Sequence, residues 1–238
     1  MPTWLDIVLL TLLAGLAMPL GGMVASFERF LPGWLDLEFR HTVTALGGGA
    51  LLSAVALVLV PEGTRALPSY AVALLFSAGG VTFMLLDIAL VAHQKPWSQL
   101  VAMLSDFIPE AMALGATLAS GSSAGLLLAL LIALQNVPEG FNAFRELSAS
   151  THFRPLQLIG LFTLMAVLGP MAGLIGFFAL ASQPQVMAAV MLFAAGGILY
   201  LVFQDIAPQA RLKRHWSPPL GAVAGFLLGV IGQMLLDR

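Results

Sequence analysis

Residues 125–144, GLLLALLIALQNVPEGFNAF, place three amides, a proline and a glutamate inside an otherwise apolar run. Twenty residues in a helix cover about 30 Å, which is the thickness of the hydrocarbon core of a bilayer. The stretch is therefore predicted to cross a membrane as a helix, with Glu139 buried inside it.

The composition of the whole chain agrees with this interpretation. Of 238 residues, 59% are hydrophobic and 9% are charged, against roughly 25% charged in ordinary soluble domains. Mean hydropathy is +0.96. These values exclude a soluble enzyme and a disordered chain. A net charge of −2 gives no sign of the basic surface that nucleic-acid binding requires. The absence of cysteine excludes disulfides and thiolate metal sites.

Further apolar runs of similar length predict eight spans in one all-α transmembrane domain that covers residues 1–238. The predicted spans are residues 4–27, 41–61, 69–92, 97–120, 123–145, 156–181, 185–207 and 217–236. Little chain remains for a soluble domain. The first run lacks a basic segment ahead of it and a cleavage site, so we interpret it as a mature helix and not a signal peptide.

The distribution of basic residues predicts the orientation in the membrane. The connections after spans 1, 3, 5 and 7 carry eight of them: Arg29, Arg40, Lys95, Arg145, Arg154, Arg211, Lys213 and Arg214. The other side has Arg65 and Arg238. We therefore expect a multi-pass protein of the cell (inner) membrane with both termini outside the cytoplasm.

Five acidic residues fall within the predicted spans: Asp87, Asp106, Glu110, Glu139 and Asp205. Each costs about 2.5–3.5 kcal/mol to insert at the centre of a bilayer. All basic residues lie in connections, near span ends or at the C-terminus, so ion pairs do not explain these acids. The carboxyl groups must be protonated, hydrated or bound to a cation.

The fourth and fifth spans each carry an oxygen ligand four residues before a glutamate. Asp106 precedes Glu110, and Gln135 precedes Glu139. Positions i and i+4 share a helix face, so two facing stripes would supply four ligands to one site. A proline precedes each glutamate and frees a backbone carbonyl. The alternative is a packing kink with protonated glutamates.

These residues resemble the motifs of the Zrt/Irt-like (ZIP) family of divalent metal transporters. Its H-N-x-P-E-G-like motifs correspond to DFIPEA at 106–111 and QNVPEG at 135–140. Supporting stretches are GGGA at 47–50, VPEG at 60–63 and AGGILY at 195–200. The resemblance implies a 3+2+3 inverted-repeat bundle and a homodimer. It also implies an elevator-like motion of spans 1, 4, 5 and 6 against the other four.

The resemblance also implies which residues meet the metal. The first site falls on Asp106, Glu110, Gln135 and Glu139, with Asn136 beside them. A second site would need an amide at Phe107 and an acid at Gly169, so only one site is expected. Three further residues look like outer path residues that capture metal at the entrance: Asp87, Gln204 and Asp205.

The expected substrate is a divalent metal cation that is carried into the cytoplasm, with no cofactor and no enzymatic reaction. An all-oxygen ligand set suits Mn²⁺ better than a histidine-bearing site would, while the general affinity order favours Zn²⁺. We expect zinc, or Mn²⁺, Fe²⁺ or Cd²⁺. One alternative is a metal sensor or regulatory homologue that does not transport. Another is an intramembrane enzyme that uses Asp106 and Glu110 as an acid pair, although no GxGD stretch accompanies them.

Overall fold

The computed structural model describes residues 3–27, 33–93, 98–210 and 216–236, and these form eight long helices without a strand. The first five are α1 (Trp4–Phe27), α2 (Gly33–Ala54, continuing through Val55–Leu59 and Val60–Thr64), α3 (Ser69–His93), α4 (Ser98–Ala119) and α5 (Ala124–Ser150). The others are α6 (Pro155–Ala166, Leu168–Ile175 and Gly176–Leu180), α7 (Pro184–Leu201, Val202–Ile206 and Ala207–Ala210) and α8 (Ser217–Leu236). Each is long and apolar enough to cross a membrane. The predicted all-α architecture with eight spans is confirmed.

Helix α5 extends five residues beyond the predicted end of its span. The apolar pattern stops near Phe144, but the helix continues to Ser150. It ends at Thr151, whose backbone is extended at φ −131° and ψ 167°. Helix α6 then begins at Pro155, and the Arg154 N–H donates to Gln157 Oε1 at 2.8 Å. Six of the basic residues used for the orientation lie outside the described residues: Arg29, Lys95, Arg211, Lys213, Arg214 and Arg238.

Glycines bring α1, α4, α5 and α6 into backbone contact, and we call these four the first helix group. A Cβ at Gly140 of α5 would lie 2.1 Å from the Met18 carbonyl oxygen of α1. Equivalent contacts join Gly21 to Val137, Gly115 to Gly173, Gly176 to Met112, and Gly15 to Ala166. Such close approach requires glycine, because any side chain would collide with backbone that cannot rotate away.

The remaining helices α2, α3, α7 and α8 form the second helix group, with α2 packed on α8 and α3 packed on α7. A Cβ at Gly225 of α8 would lie 2.0 Å from the Leu46 carbonyl oxygen of α2. Backbone contacts of this kind also join Gly49 to Ala222, Gly79 to Phe193, and Gly196 to Phe76. Gly63 of α2 packs on Leu192 of α7 and connects the two pairs.

The boundary between the two groups is built differently. There, the nearest neighbours of the glycines are side chains: Gly47 faces Pro138 Cγ at 2.4 Å, and Gly232 faces Leu127 Cδ1 at 2.8 Å from a built Cβ. Thr44 of α2 and Asn142 of α5 also hydrogen-bond across this boundary, with the Asn142 Nδ2 donating to Thr44 Oγ1 at 3.0 Å. Side-chain contacts can be exchanged more readily than interlocked backbones.

Helices α2 and α7 share the same interruption. Each contains one π-helical segment, Val55–Leu59 in α2 and Val202–Ile206 in α7, and each has a proline two residues later, Pro61 and Pro208. π-Helical turns within α-helices are frequent at functional positions. Because α2 and α7 are five spans apart, they cross the membrane in opposite directions.

Substitution of Gly225 by alanine should destabilise the protein. We expect a loss of about 1–3 kcal/mol, the usual cost of overpacking, since the added methyl group meets the Leu46 carbonyl. The matched control is Gly160→Ala in α6, where nothing lies within 4 Å of the built Cβ. Alanine has a higher helix propensity than glycine, so Gly160→Ala should leave stability unchanged or raise it by up to about 1 kcal/mol. Thermal unfolding in detergent measures both, and equal midpoints would contradict the close α2–α8 contact.

Candidate metal site

The site is built where α4 and α5 face each other in the centre of the bundle. The Gln135 Nε2 of α5 donates to Glu110 Oε2 of α4 at 2.5 Å. Both side chains are fully buried. The two stripes predicted from i, i+4 spacing thus face each other at this pair.

Asn136 is held by a different helix. Its Nδ2 donates to the Ala14 carbonyl oxygen of α1 at 2.8 Å, and its side chain is buried. This bond fixes the amide nitrogen, so the Asn136 Oδ1 is left as the free end of the group. An amide held in this way presents oxygen at a fixed position.

Five buried side-chain oxygens at this site have no hydrogen-bond partner among the described residues. They are Glu110 Oε1, Gln135 Oε1, Asn136 Oδ1, and both carboxylate oxygens of Glu139. Buried polar atoms almost always have a partner, because an unsatisfied one costs about 1–3 kcal/mol. Carboxylate and amide oxygens can satisfy this need by coordinating a cation.

Asp106 and Glu139 both line a cavity of about 570 Å³. Asp106 is buried, and its Oδ1 accepts a hydrogen bond from the Phe107 N–H at 2.8 Å. Within the described residues, no three His, Cys, Asp or Glu side chains are gathered closely enough to hold a metal ion. The ligand set of Asp106, Glu110, Gln135 and Glu139 therefore stays a prediction.

Phe107 fills the space where a second site would need polar side chains. It is only 1% exposed, and a Cβ at Gly169 of α6 would lie 2.8 Å from its Cζ and 2.8 Å from the Thr11 carbonyl oxygen. A Cβ at Gly15 of α1 would lie 3.0 Å from the same Cζ. The ring thus occupies the volume that two glycines leave open, and Gly169 has no room for an acidic side chain beside it.

Two of the three predicted path residues line the cavity and the third does not. Asp87 and Asp205 both line the cavity, and the Tyr200 hydroxyl donates to Asp87 Oδ2 at 3.1 Å. Gln204 is exposed and does not line this cavity. Adjacent residues on a helix point about 100° apart, so Gln204 and Asp205 need not share a face.

Five further polar residues line the cavity and were missed from the sequence: Thr44, Asn142, Glu146, Ser150 and Gln209. The spacing of Glu139, Asn142 and Glu146 is i, i+3, i+7, which is one helix face. That pattern was a usable signal. No such spacing marks Thr44 or Gln209, because each lines the cavity from a different helix.

The cavity reaches Leu90, Ser150 and Gln209, which lie toward the ends of α3, α5 and α7. These ends belong to the side that carries eight of the ten basic residues. Two expectations therefore conflict. If basic connections are cytoplasmic, Asp87 and Asp205 lie on the cytoplasmic side of the bundle, whereas an entrance role would put them outside.

Truncation of Phe107 should test its packing role. Phe107→Ala is expected to cost about 3–5 kcal/mol of stability, as for other buried aromatics. The control is Ile108→Ala at the next position, where the side chain is 36% exposed and the loss should be below about 1 kcal/mol. Thermal unfolding in detergent measures both variants. Similar effects at the two positions would show that Phe107 is not packed as described.

Comparison with known proteins agrees with the geometry. The model of the family described as ZIP zinc transporter matches residues 91–237, which include both motifs and more than half of the chain. A search of curated proteins finds no match. Members of this family are membrane transporters of divalent metal and not enzymes, so the intramembrane acid-pair enzyme is not supported. The chain belongs to the ZIP zinc transporter family.

Proposed function

We propose that this chain carries a divalent metal cation, zinc or another first-row ion, into the cytoplasm through one site between α4 and α5. The observation that carries the proposal is the set of five buried oxygens that no described residue satisfies, beside an acidic cavity. Metal as substrate would satisfy these oxygens and then leave again, without a resident cofactor.

Charge supports the same conclusion. Asp106 and Glu139 line the cavity and Glu110 is buried beside Gln135, while none of the described residues that line the cavity is basic. Negative charge in a low-dielectric interior requires compensation. A divalent cation supplies two positive charges at one point, which no side chain of this chain could do.

The ligand chemistry narrows the substrate. The proposed ligands are Asp106, Glu110, Gln135 and Glu139, with Asn136 as a neighbouring oxygen donor. All are oxygen ligands, and neither imidazole nor thiolate is among them. Hard cations such as Mn²⁺ accept this set readily, while Zn²⁺ binds more tightly to most ligand sets. We therefore infer a transporter with weaker preference for zinc over Mn²⁺, Fe²⁺ or Cd²⁺ than a histidine-bearing site would give.

We infer that the large cavity is the cytoplasmic half of the path. Its open end lies among the ends of α3, α5 and α7, where most basic residues are placed by the sequence. Asp87, Asp205 and Glu146 would then conduct the ion away from Glu139 toward the cytoplasm. Gln204 is exposed outside this cavity and has no place in this half of the path.

Transport needs the site to reach the other side, and the packing supports an elevator-like motion. Backbone contacts at glycines join α1, α4, α5 and α6 to one another, and others join α2 to α8 and α3 to α7. The boundary between the two groups consists of side-chain contacts such as Gly47 on Pro138. The first group can therefore slide past the second as a unit and carry the site with it.

A homodimer also belongs to the proposal. Helix α3 leaves most of its apolar surface exposed, including Tyr70, Leu74, Leu85 and Ile88. Lipid or a second copy of the chain must cover these side chains. The particle mass in detergent separates the two cases.

Flux into proteoliposomes tests the function directly. Zn²⁺, Mn²⁺, Fe²⁺ and Cd²⁺ are offered separately to wild type, Glu110→Gln and Glu139→Gln. These substitutions keep the shape of the side chain but remove its charge, so flux should fall at least tenfold. The control is Asp6→Asn, which removes a carboxylate that is exposed and bonded to Thr3, and its flux should match wild type.

Two other outcomes of this experiment have definite meanings. Saturable metal binding that depends on both glutamates, without flux of any ion, would identify a metal sensor or regulatory homologue. Normal flux in both glutamine variants would exclude the proposed site.

A disulfide across the boundary tests the motion. The chain has no cysteine, so Thr44→Cys with Asn142→Cys would contain a single pair at side chains that now share a hydrogen bond. Oxidation should abolish flux because the two groups can no longer slide, and a reducing agent should restore it. The single variants Thr44→Cys and Asn142→Cys should be insensitive to oxidation. Full flux through a cross-linked pair would contradict relative motion of the groups.

A further inference from the structure

A second, smaller cavity of about 200 Å³ lies at the other end of the bundle. It is enclosed by the C-terminal end of α2, the connection between α4 and α5, and the C-terminal end of α8. Its polar lining consists of Glu62, Arg65, Ser122, Ser123 and Gln233. Since α2, α4 and α8 all end here, this cavity and the large one lie at opposite membrane faces.

The two cavities lie at corresponding positions of α2 and α7, next to the π-helical segment and proline that each helix contains. Glu62 follows Pro61 after the π-helical segment of α2, and Gln209 follows Pro208 after that of α7. Glu62 lines the small cavity and Gln209 lines the large one. Because the two helices run in opposite directions, corresponding positions lie at opposite faces, as expected for inverted repeats around a central site.

Both cavities also lie on the boundary between the two helix groups. The large cavity is lined by α2, α3 and α7 on one side and by α4 and α5 on the other. The small cavity is lined by α2 and α8 on one side and by the start of α5 and its preceding connection on the other. Relative sliding of the groups would therefore widen one cavity while it narrows the other.

The small cavity has the chemistry to receive a cation. Glu62 Oε1 pairs with Arg65 Nη1 at 2.5 Å, with side-chain exposures of 14% for Glu62 and 69% for Arg65. The Arg65 guanidinium is mostly exposed, so water screens its pairing with the largely buried Glu62 carboxylate and can replace it. A divalent cation carries twice its charge and could also use the oxygens of Ser122, Ser123 and Gln233.

We propose that this small cavity is the outer mouth of the path in its closed form, and that Glu62 captures the incoming divalent cation there in exchange for Arg65. The proposal rests on the transport function proposed above. In this proposal, Arg65 competes with the metal ion for Glu62. The strength of this competition sets the metal concentration that is needed to fill the outer cavity.

Transport kinetics test the exchange. Glu62→Gln should raise the KM for Mn²⁺ or Zn²⁺ at least fivefold while the maximal rate stays within twofold, because the central site is intact. Arg65→Gln should lower the KM severalfold, because the competing cation is gone. Asp6→Asn is the charge-matched control on the same face and should change neither. An unchanged KM in both Glu62→Gln and Arg65→Gln would overturn the proposal.

Labelling tests the location without any need for flux, and so separates this proposal from the transport function. In the cysteine-free chain, Ser123→Cys and Gln209→Cys each provide one thiol, at the small and the large cavity. A membrane-impermeant maleimide should reach them from opposite sides of oriented vesicles. Labelling of both from the same side would overturn the proposal.

Protection by metal tests the capture at Glu62 itself. Mn²⁺ should slow the labelling of Gln233→Cys, and the added substitution Glu62→Gln should remove this protection. Mn²⁺ is the probe because thiolates bind it more weakly than Zn²⁺. Protection that persists in Glu62→Gln would show that another group binds the ion and would overturn the role of Glu62.

Discussion

Carboxylates that are buried without a positive partner determine the design of this molecule. Glu110 and Glu139 lie in the middle of membrane-crossing helices and present oxygens that no described residue satisfies. The cost of such groups in a membrane interior is lowered by protonation, by water or by a bound cation. The cavity beside Glu139 would give a cation a route, and the hydrogen-bonded amides of Gln135 and Asn136 place further oxygens nearby.

A site that must be reached from two sides also constrains the packing around it. The proposed ligands lie on α4 and α5, and α5 packs closely on α1 at Gly21 and Gly140. Glycine contacts between backbones make this group rigid, so the ligand geometry can survive a displacement of the whole group. In the proposed motion, the side-chain boundary at Gly47 and Pro138 is the place where displacement would cost least.

Hydropathy and spacing predicted the parts of this structure that depend on local sequence. The eight spans follow from runs of about 20 apolar residues, and the facing stripes of α4 and α5 follow from i, i+4 spacing. The continuation of α5 to Ser150 could not be predicted in this way, because residues 145–150 include charged and polar side chains that break the apolar pattern without breaking the helix. The role of Thr44 and the outward position of Gln204 depend on how helices rotate against their neighbours, which a single sequence does not encode locally.

The packing of Phe107 bears on the proposal of a single metal site. Removal of polar groups alone would leave a void or a pocket of water near the carboxylates, and either would weaken the hold on a single ion. Here the Phe107 ring occupies that volume, and Gly15 and Gly169 have no side chain to oppose it. The backbone N–H of Phe107 also donates to Asp106 Oδ1. The packing of the Phe107 ring therefore helps to orient the Asp106 carboxylate. At the proposed site, one divalent cation would balance two of the three carboxylates, and the Phe107 N–H bonds to the carboxylate of Asp106. Occupation of the site by a single ion is thus consistent with both its volume and its electrostatics.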